Sequence, residues 1–287
     1  RQYAERELPR SLSVFIGNVA AASKGVRALP GQADYNRIWG IGDTPEHHMT
    51  HSIMESMKNR DVFAAIDIHN NTGKNPHFAL ICGHESNIYR LATLFGRTVV
   101  YTLKPDTTST YGMSEFCPAV TIECGLPGDQ YGVDHAVEYI DACLHLSQFP
   151  EHPLAEHDMD LYHMVSIVKV PGQFSFSFDG SDADIRFDEQ LVSMNFSEVK
   201  PGTLFCCLNE DSHAYLEAWD EHGKNQSERF FSTQGTGYLL KQPVMPAMLT
   251  SDHDIVRMDC LCYLMERIDW TSIIEETEPE IVPVQTS

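Results

Sequence analysis

His69 sits just past the apolar run Val62-Phe63-Ala64-Ala65-Ile66, inside Asp67-Ile68-His69-Asn70-Asn71. The run reads as a strand buried on both faces, as in a parallel sheet. Such sheets gather ligands beyond the carboxyl ends of their strands. An imidazole there suits a metal, because catalytic zinc takes neutral imidazole or carboxylate ligands, usually three, and keeps a fourth position open. His69 supplies one, and Asn70 or nearby backbone would orient its ring. Glu123 ends a second buried run, Ala119 to Cys124, before Gly125 and Pro127 turn the chain. A carboxylate in that setting is costly unless paired, hydrogen-bonded or used. It reads either as a general base serving a metal-activated water or as the partner of a core Arg or Lys. A third segment is Asp34-Tyr35-Asn36-Arg37. The Arg37 fork suits a carboxylate and Asn36 adds a neutral donor. Arg27 upstream suits a developing oxyanion. Ordinary surface ion pairs are the competing reading, and the better one for Arg27 taken alone.

Other groups carry weaker signals. His47, His51 and Glu55 share one face of a helix, and His-x-x-x-His is a metal spacing. The Glu lies outside the pair, so a solvated polar face is preferred, with His48 on it. His77 and His84 are candidates for a pocket rim, and Asp252-His253-Asp254 reads as a helix start. The eight cysteines include no Cys-x-x-Cys pair and read as buried free thiols in a reducing cytoplasm. No Gly-x-Ser-x-Gly elbow or phosphate-cradling Gly-x-x-x-x-Gly-Lys is present. Gly40-Ile41-Gly42 and Gly235-Thr236-Gly237 read as turns.

The elements that must position these residues alternate through the first half. Ser13–Asn18 reads as a first strand. Thr44 caps a helix with Pro45 at its first position, carrying a Met49, Ile53, Met57 stripe. His77–Cys82 reads as a strand, in one reading a hairpin partner of the His69 strand. Ile88, Leu91 and Phe95 mark a helix, and Val133 to Leu144 a longer amphipathic one. The pattern predicts an α/β fold, a mixed sheet flanked by helices. Around Phe149-Pro150-Glu151-His152-Pro153 the character changes, and the polar run to Asp160 reads as a linker. Beyond it short strand-like pieces dominate: Phe174, Phe176 and Phe178 alternating with serines, a turn at Val199–Gly202, and Tyr238–Leu240 after Gly235. Residues 1–150 are therefore expected to form the catalytic domain, and 151–287 a smaller, mostly β domain. Asp252 to Ile268 reads as a late helix and the acidic stretch from Glu275 as a flexible tail.

Composition bounds the function. The 287 residues carry 42% apolar and 21% charged side chains, so the chain is globular. A formal charge of −21 excludes nucleic acid, for want of a basic stripe, and anionic membranes. No apolar stretch is long enough to span a bilayer, and no signal-peptide pattern opens the sequence. The expected setting is the cytoplasm, compatible with a homo-oligomer.

The ordered set Gly17-Asn18, Arg27, Asp34-Tyr35-Asn36-Arg37-Ile38-Trp39, then Asp67-Ile68-His69-Asn70-Asn71-Thr72, then Ile122-Glu123-Cys124-Gly125 resembles the succinylglutamate desuccinylase/aspartoacylase family, within the zinc carboxypeptidase-like group. The match spans residues 13–145 and, more loosely, the β-rich half. The resemblance implies a carboxypeptidase-like fold, one zinc ion held by His-x-x-Glu plus a later His, and hydrolysis of an N-acyl amide bond that releases an amino acid. Residue by residue it implies His69 as the third zinc ligand, Glu123 as general base and acid, Arg27 as oxyanion partner, and Asn36 and Arg37 as the grip on an anionic small-molecule substrate. Three departures stand out. The His-x-x-Glu pair is absent and is expected upstream of Arg1, in an unrecorded N-terminus. No Arg occurs from Lys104 to Phe116, where Thr107, Thr108, Thr110, Tyr111 and Ser114 stand instead, which argues against aspartate as the product. The Arg27-to-Asn36 loop is also long. A peptide-cleaving zinc carboxypeptidase and a catalytically dead binding module are the alternatives.

Overall fold

The computed structural model describes residues 3, 5–152 and 154–268. The acidic tail expected from Glu275 lies outside the described residues. In chain order the elements are α1 (Val19–Ala22), α2 (Pro45–Lys58), β1 (Ala65–His69), β2 (Phe78–Ile81), α3 (Ser86–Phe95), β3 (Thr98–Tyr101), α4 (Ser109–Ser114), β4 (Ala119–Glu123), α5 (Gln130–His145) and β5 (Asp160–Lys169). There follow β6 (Phe176–Ser177), β7 (Ile185–Arg186), β8 (Leu204–Leu208), β9 (Glu217–Trp219), α6 (Ser227–Phe230), β10 (Phe231–Gln234), β11 (Gly237–Leu240), β12 (Met245–Ala247), α7 (His253–Met258) and β13 (Cys262–Arg267). None of the described helices is long and apolar enough to cross a membrane.

The main sheet is mixed and eight-stranded, in the order β1-β4-β2-β3-β5-β13-β12, with β9 also pairing β5. Strand β4 is parallel to β1 and antiparallel to β2, so the carboxyl ends of β1 and β4 lie side by side, with His69 opposite Glu123. Every residue of β4 is buried. Helices α3 and α5 cover one face, packing Leu91, Phe95, Ala136 and Tyr139 against Ala79, Val99, Val120 and Ile122. Alternation sends Asp67, His69, Thr121 and Glu123 to the other face.

The second sheet, β10-β11-β8-β7-β6, lies wholly beyond residue 150, and its core around Ile185, Phe205, Phe230 and Leu240 is shared with Val168, Ala218, Cys262 and Leu264 of the main sheet. The 150/151 boundary does not separate the two sheets, however. Strands β5, β9, β12 and β13 complete the main sheet, and Asp160, expected in a linker, opens its ten-residue strand β5.

Several local expectations are met. Thr44 accepts a hydrogen bond from the His47 amide at the start of α2, with Pro45 at its first position. Asp252 caps α7 through the amides of Asp254 and Ile255. Others are corrected. The residues Ser13–Asn18 form no strand, and Val14 and Ile16 are exposed. Among the described residues strand β1 is an edge strand, not one buried on both faces, and Ile68 is half exposed. Strand β2 pairs with β3 and β4 instead of forming a hairpin with β1. The late helix stops at Met258, and Cys262–Arg267 is strand β13, whose neighbours β5 and β12 a local pattern cannot reveal.

Candidate active site

The loop carrying Asp34–Arg37 is fixed from below. Ile38, Trp39 and Met54 form a small buried core joined by Tyr35, Met49, Ile53, Met113 and Phe116. The Trp39 amide donates to the Thr107 carbonyl at 3.1 Å, and the Thr50 hydroxyl to the Ile38 carbonyl at 2.6 Å. The Asp34 carboxylate accepts from the Asn36 amide at 2.9 Å, which closes a local turn. Arg37 thus stands on a rigid support.

His69 and Glu123 meet at the sheet edge. The His69 Nε2–H donates to Asp67 Oδ2 at 3.1 Å, and Nδ1 lies 4.0 Å from Glu123 Oε1. Asp67, not Asn70, therefore orients the ring. Asp67 is itself held by the Ser109 hydroxyl at the start of α4. Asn71 turns away, its side chain accepting from the Gly73 amide. Burial works against charge on His69, but the adjacent Asp67 charge and hydrogen bond outweigh it, with help from Glu123, and raise its pKa to about 9. Burial also opposes ionisation of Asp67, yet His69 and Ser109 bring its pKa below the usual range.

Glu123 is only 4% exposed. Burial lifts its pKa, the charges of His69 and Arg27 pull it down, and that of Asp67 adds to the rise; the net direction is upward. Its Oε2 is buried with no hydrogen-bond partner among the described residues. No Lys or Arg forms a salt bridge with it there. The ion-pair reading of Glu123 thus loses its support.

Arg27 donates through Nε and Nη2 to Asp34 Oδ2, at 3.0 and 2.7 Å, and still acts electrostatically on His69 and Glu123. Arg37 donates through Nη2 to both oxygens of Asp259, at 2.9 and 3.0 Å, and through Nη1 to the Asn36 carbonyl. Asp259 follows α7, far from the motifs in sequence, and sequence reasoning missed it; only knowledge that β13 enters this sheet would have found it. Ser109 was missed too, although it lies among the flagged polar residues 107–114. Thr110, one of those flagged, bonds Thr121 at 2.6 Å and braces β4.

The other histidines are engaged elsewhere. His47 Nδ1 is 2.8 Å from the Thr44 hydroxyl, and His51 Nε2 is 2.9 Å from the Gly40 carbonyl. His77 pairs with His135 on α5, and His84 with Tyr89 on α3.

The residues fit zinc in part. A carboxylate on the far nitrogen of His69 is the usual second partner of a metal-binding imidazole, and it leaves Nδ1 facing the orphaned Glu123. Among the described residues, however, no group of three His, Cys, Asp or Glu is placed to hold a metal. They provide one ligand and a base.

No protein-family profile matches the sequence, and no curated protein matches it. Solved structures do resemble the fold. Murine aminoacylase 3 superposes with a TM-score of 0.56 at 17% identity, over 88% of this chain and 82% of that one. A succinylglutamate desuccinylase/aspartoacylase from Rhodobacter sphaeroides gives 0.55 at 13% identity, over 88% and 73%. The succinylglutamate desuccinylase from Chromobacterium violaceum gives 0.52 at 15%, over 88% and 72%. The chain has the fold that these three proteins share, in agreement with the resemblance carried by its motifs.

Proposed function

We propose that this chain belongs to the succinylglutamate desuccinylase/aspartoacylase family and is a zinc-dependent amidohydrolase that cleaves the amide bond of N-acyl amino acids. The observation that carries the reading is Glu123: a buried carboxylate with an unpartnered oxygen, beside an imidazole whose other nitrogen is tied to a carboxylate. Folding gains nothing from such a group, whereas proton transfer needs one.

His69 would hold zinc through Nδ1, with Asp67 fixing the ring. A zinc ion there supplies Lewis acidity toward the acyl oxygen and the attacking water. Glu123 takes a proton from that water as oxygen bonds to the acyl carbon. It then gives the proton to the amide nitrogen as the C–N bond breaks, so the products are a carboxylate and a free amine. Burial favours the protonated form of Glu123, the form that carries the proton between the two halves of that transfer. Arg27 sets a positive charge near the developing oxyanion. Arg37 and Asn36 sit at the seat for the substrate carboxylate. The substrate is then a small anion, and the cytoplasm remains the proposed compartment.

Zinc content, measured together with release of amine from a panel of N-acyl amino acids and short peptides, tests the reading. The expected result is zinc lost in His69→Ala and amine released from N-acyl amino acids in preference to peptides. Peptide cleavage alone would replace the reading with a carboxypeptidase. No zinc and no turnover would leave a binding module.

A further inference from the structure

Arg37, on the loop expected to grip substrate, is not free. Asp259 holds its Nη2 with both carboxylate oxygens, at 2.9 and 3.0 Å, across 222 residues of sequence. Arg27 has its Nη2 within 3.7 Å of the same carboxylate, but spends Nε and Nη2 on Asp34. Asp34 and Asp259 thus occupy the two guanidiniums, and the Arg27 charge also acts on Glu123.

Asp259 stands where a ligand's carboxylate would stand. Its side chain is 24% exposed and that of Arg37 26%, so the pair faces water on one side. Replacing Asp259 with another carboxylate exchanges one charge-assisted pair for another of the same kind. An incoming carboxylate can therefore take its place while Asp259 turns to solvent, and the number of ion pairs is conserved. A second carboxylate on the same ligand has no such exchange. Arg27 is already engaged through Nε and Nη2 with Asp34, and the displaced Asp259 adds its charge to the surroundings. Like charges brought together in a site are a strong means of rejecting a ligand.

We infer that Asp259 is a specificity-determining residue: it keeps the carboxylate seat at Arg37 until a substrate's single carboxylate displaces it, and then repels a second, so the preferred substrates are N-acyl amino acids with uncharged side chains. This assignment rests on the deacylase reading above. A merely structural Asp259, tying the α7–β13 connection to the Arg37 loop, would affect all ligands alike.

The experiment compares binding of N-acetyl-L-leucine and N-acetyl-L-aspartate by calorimetry to the wild-type chain and to Asp259→Asn, with acetate release followed in parallel. The wild type is expected to bind the leucine compound about tenfold or more tightly than the aspartate compound. Asp259→Asn is expected to narrow that ratio by about threefold or more, through tighter binding of the aspartate compound. A ratio is insensitive to the fraction of protein correctly folded, and Asp259→Ser reads the same way should the Asn variant not fold. A smaller change in the ratio, a wild type that favours the aspartate compound, or no binding of either compound overturns the assignment. Absence of acetate release with the expected binding ratios would instead overturn the deacylase reading and leave Asp259 as the determinant of which anion binds.

Discussion

If Glu123 is kept for chemistry, the protein carries it at a cost in stability, and removing it should show that cost. The side chain is 4% exposed and Oε2 has no partner among the described residues. A buried polar atom left unsatisfied costs about 1–3 kcal/mol. Glu123→Met removes both the charge and the orphaned oxygen at similar volume. Glu123→Gln removes the charge but puts an amide nitrogen where it too lacks a partner. The expected order of stability is therefore Met, then Gln, then wild type. At about 2–4 °C per kcal/mol for a chain of this class, the Met variant should melt about 2–12 °C higher. The attraction to His69 at 4.0 Å works against this gain, but burial outweighs it, since the net displacement of the Glu123 pKa is upward. The sign of the pH dependence follows. Below the ordinary Glu pKa of about 4.3 the group is neutral in both the folded and unfolded states and carries no charge penalty. The penalty grows as the pH climbs through the raised native value, so the advantage of both variants is largest at neutral pH and shrinks in acid. Thermal melts at several pH values read it directly. Both variants should also lose about 10²-fold or more in kcat, as expected on removal of a general base. A Met variant less stable than wild type at neutral pH, or an unchanged kcat, would refute the reasoning.

Three further outcomes are expected. Arg37→Ala should raise KM for N-acyl amino acids by about tenfold or more, since a charged hydrogen bond contributes about 1.5–3 kcal/mol; steady-state kinetics check this, and an unchanged KM removes Arg37 from the pocket. Asp67→Asn frees the His69 ring and should cost about 10–100-fold in kcat/KM, as loss of an orienting partner does; full activity would show that the ring is fixed by other means. Gly132→Ala would place a methyl group 1.9 Å from the Cys124 carbonyl oxygen, where α5 packs on the end of β4, so it should lower the denaturation midpoint by at least the ~1–3 kcal/mol of an overpacked core.

Short-range signals were read well from sequence. The Thr44–Pro45 start of α2, the buried β4 with Glu123 at its end, and the amphipathic α3 and α5 all show in residue patterns a few positions long. What failed depends on partners distant in sequence. Among the described residues, Ser13–Asn18 has the apolar content of a strand but no neighbour to pair with, and β1 looks central because its residues are apolar, though β4 alone of those residues pairs with it. The site divides in the same way. His69, Glu123, Asn36 and Arg37 stand out in the sequence because they sit in motifs. Asp67 was quoted in its motif without its role, and Asp259 left no local signal, since its significance appears only when β13 docks on β5.

The construction of the main sheet from both halves of the chain has a consequence for synthesis. Strand β5 pairs with β3 on one side and β13 on the other, and β13 begins about 160 residues after β3 ends. At the usual translation rate of about 5–20 residues per second, the ribosome needs roughly ten to thirty seconds to deliver β13 after β3 has emerged. Throughout that interval the nascent sheet has an unfinished side, and Asp259 is not yet available to Arg37. The Arg37–Asp259 pair is therefore among the last features the growing polypeptide acquires.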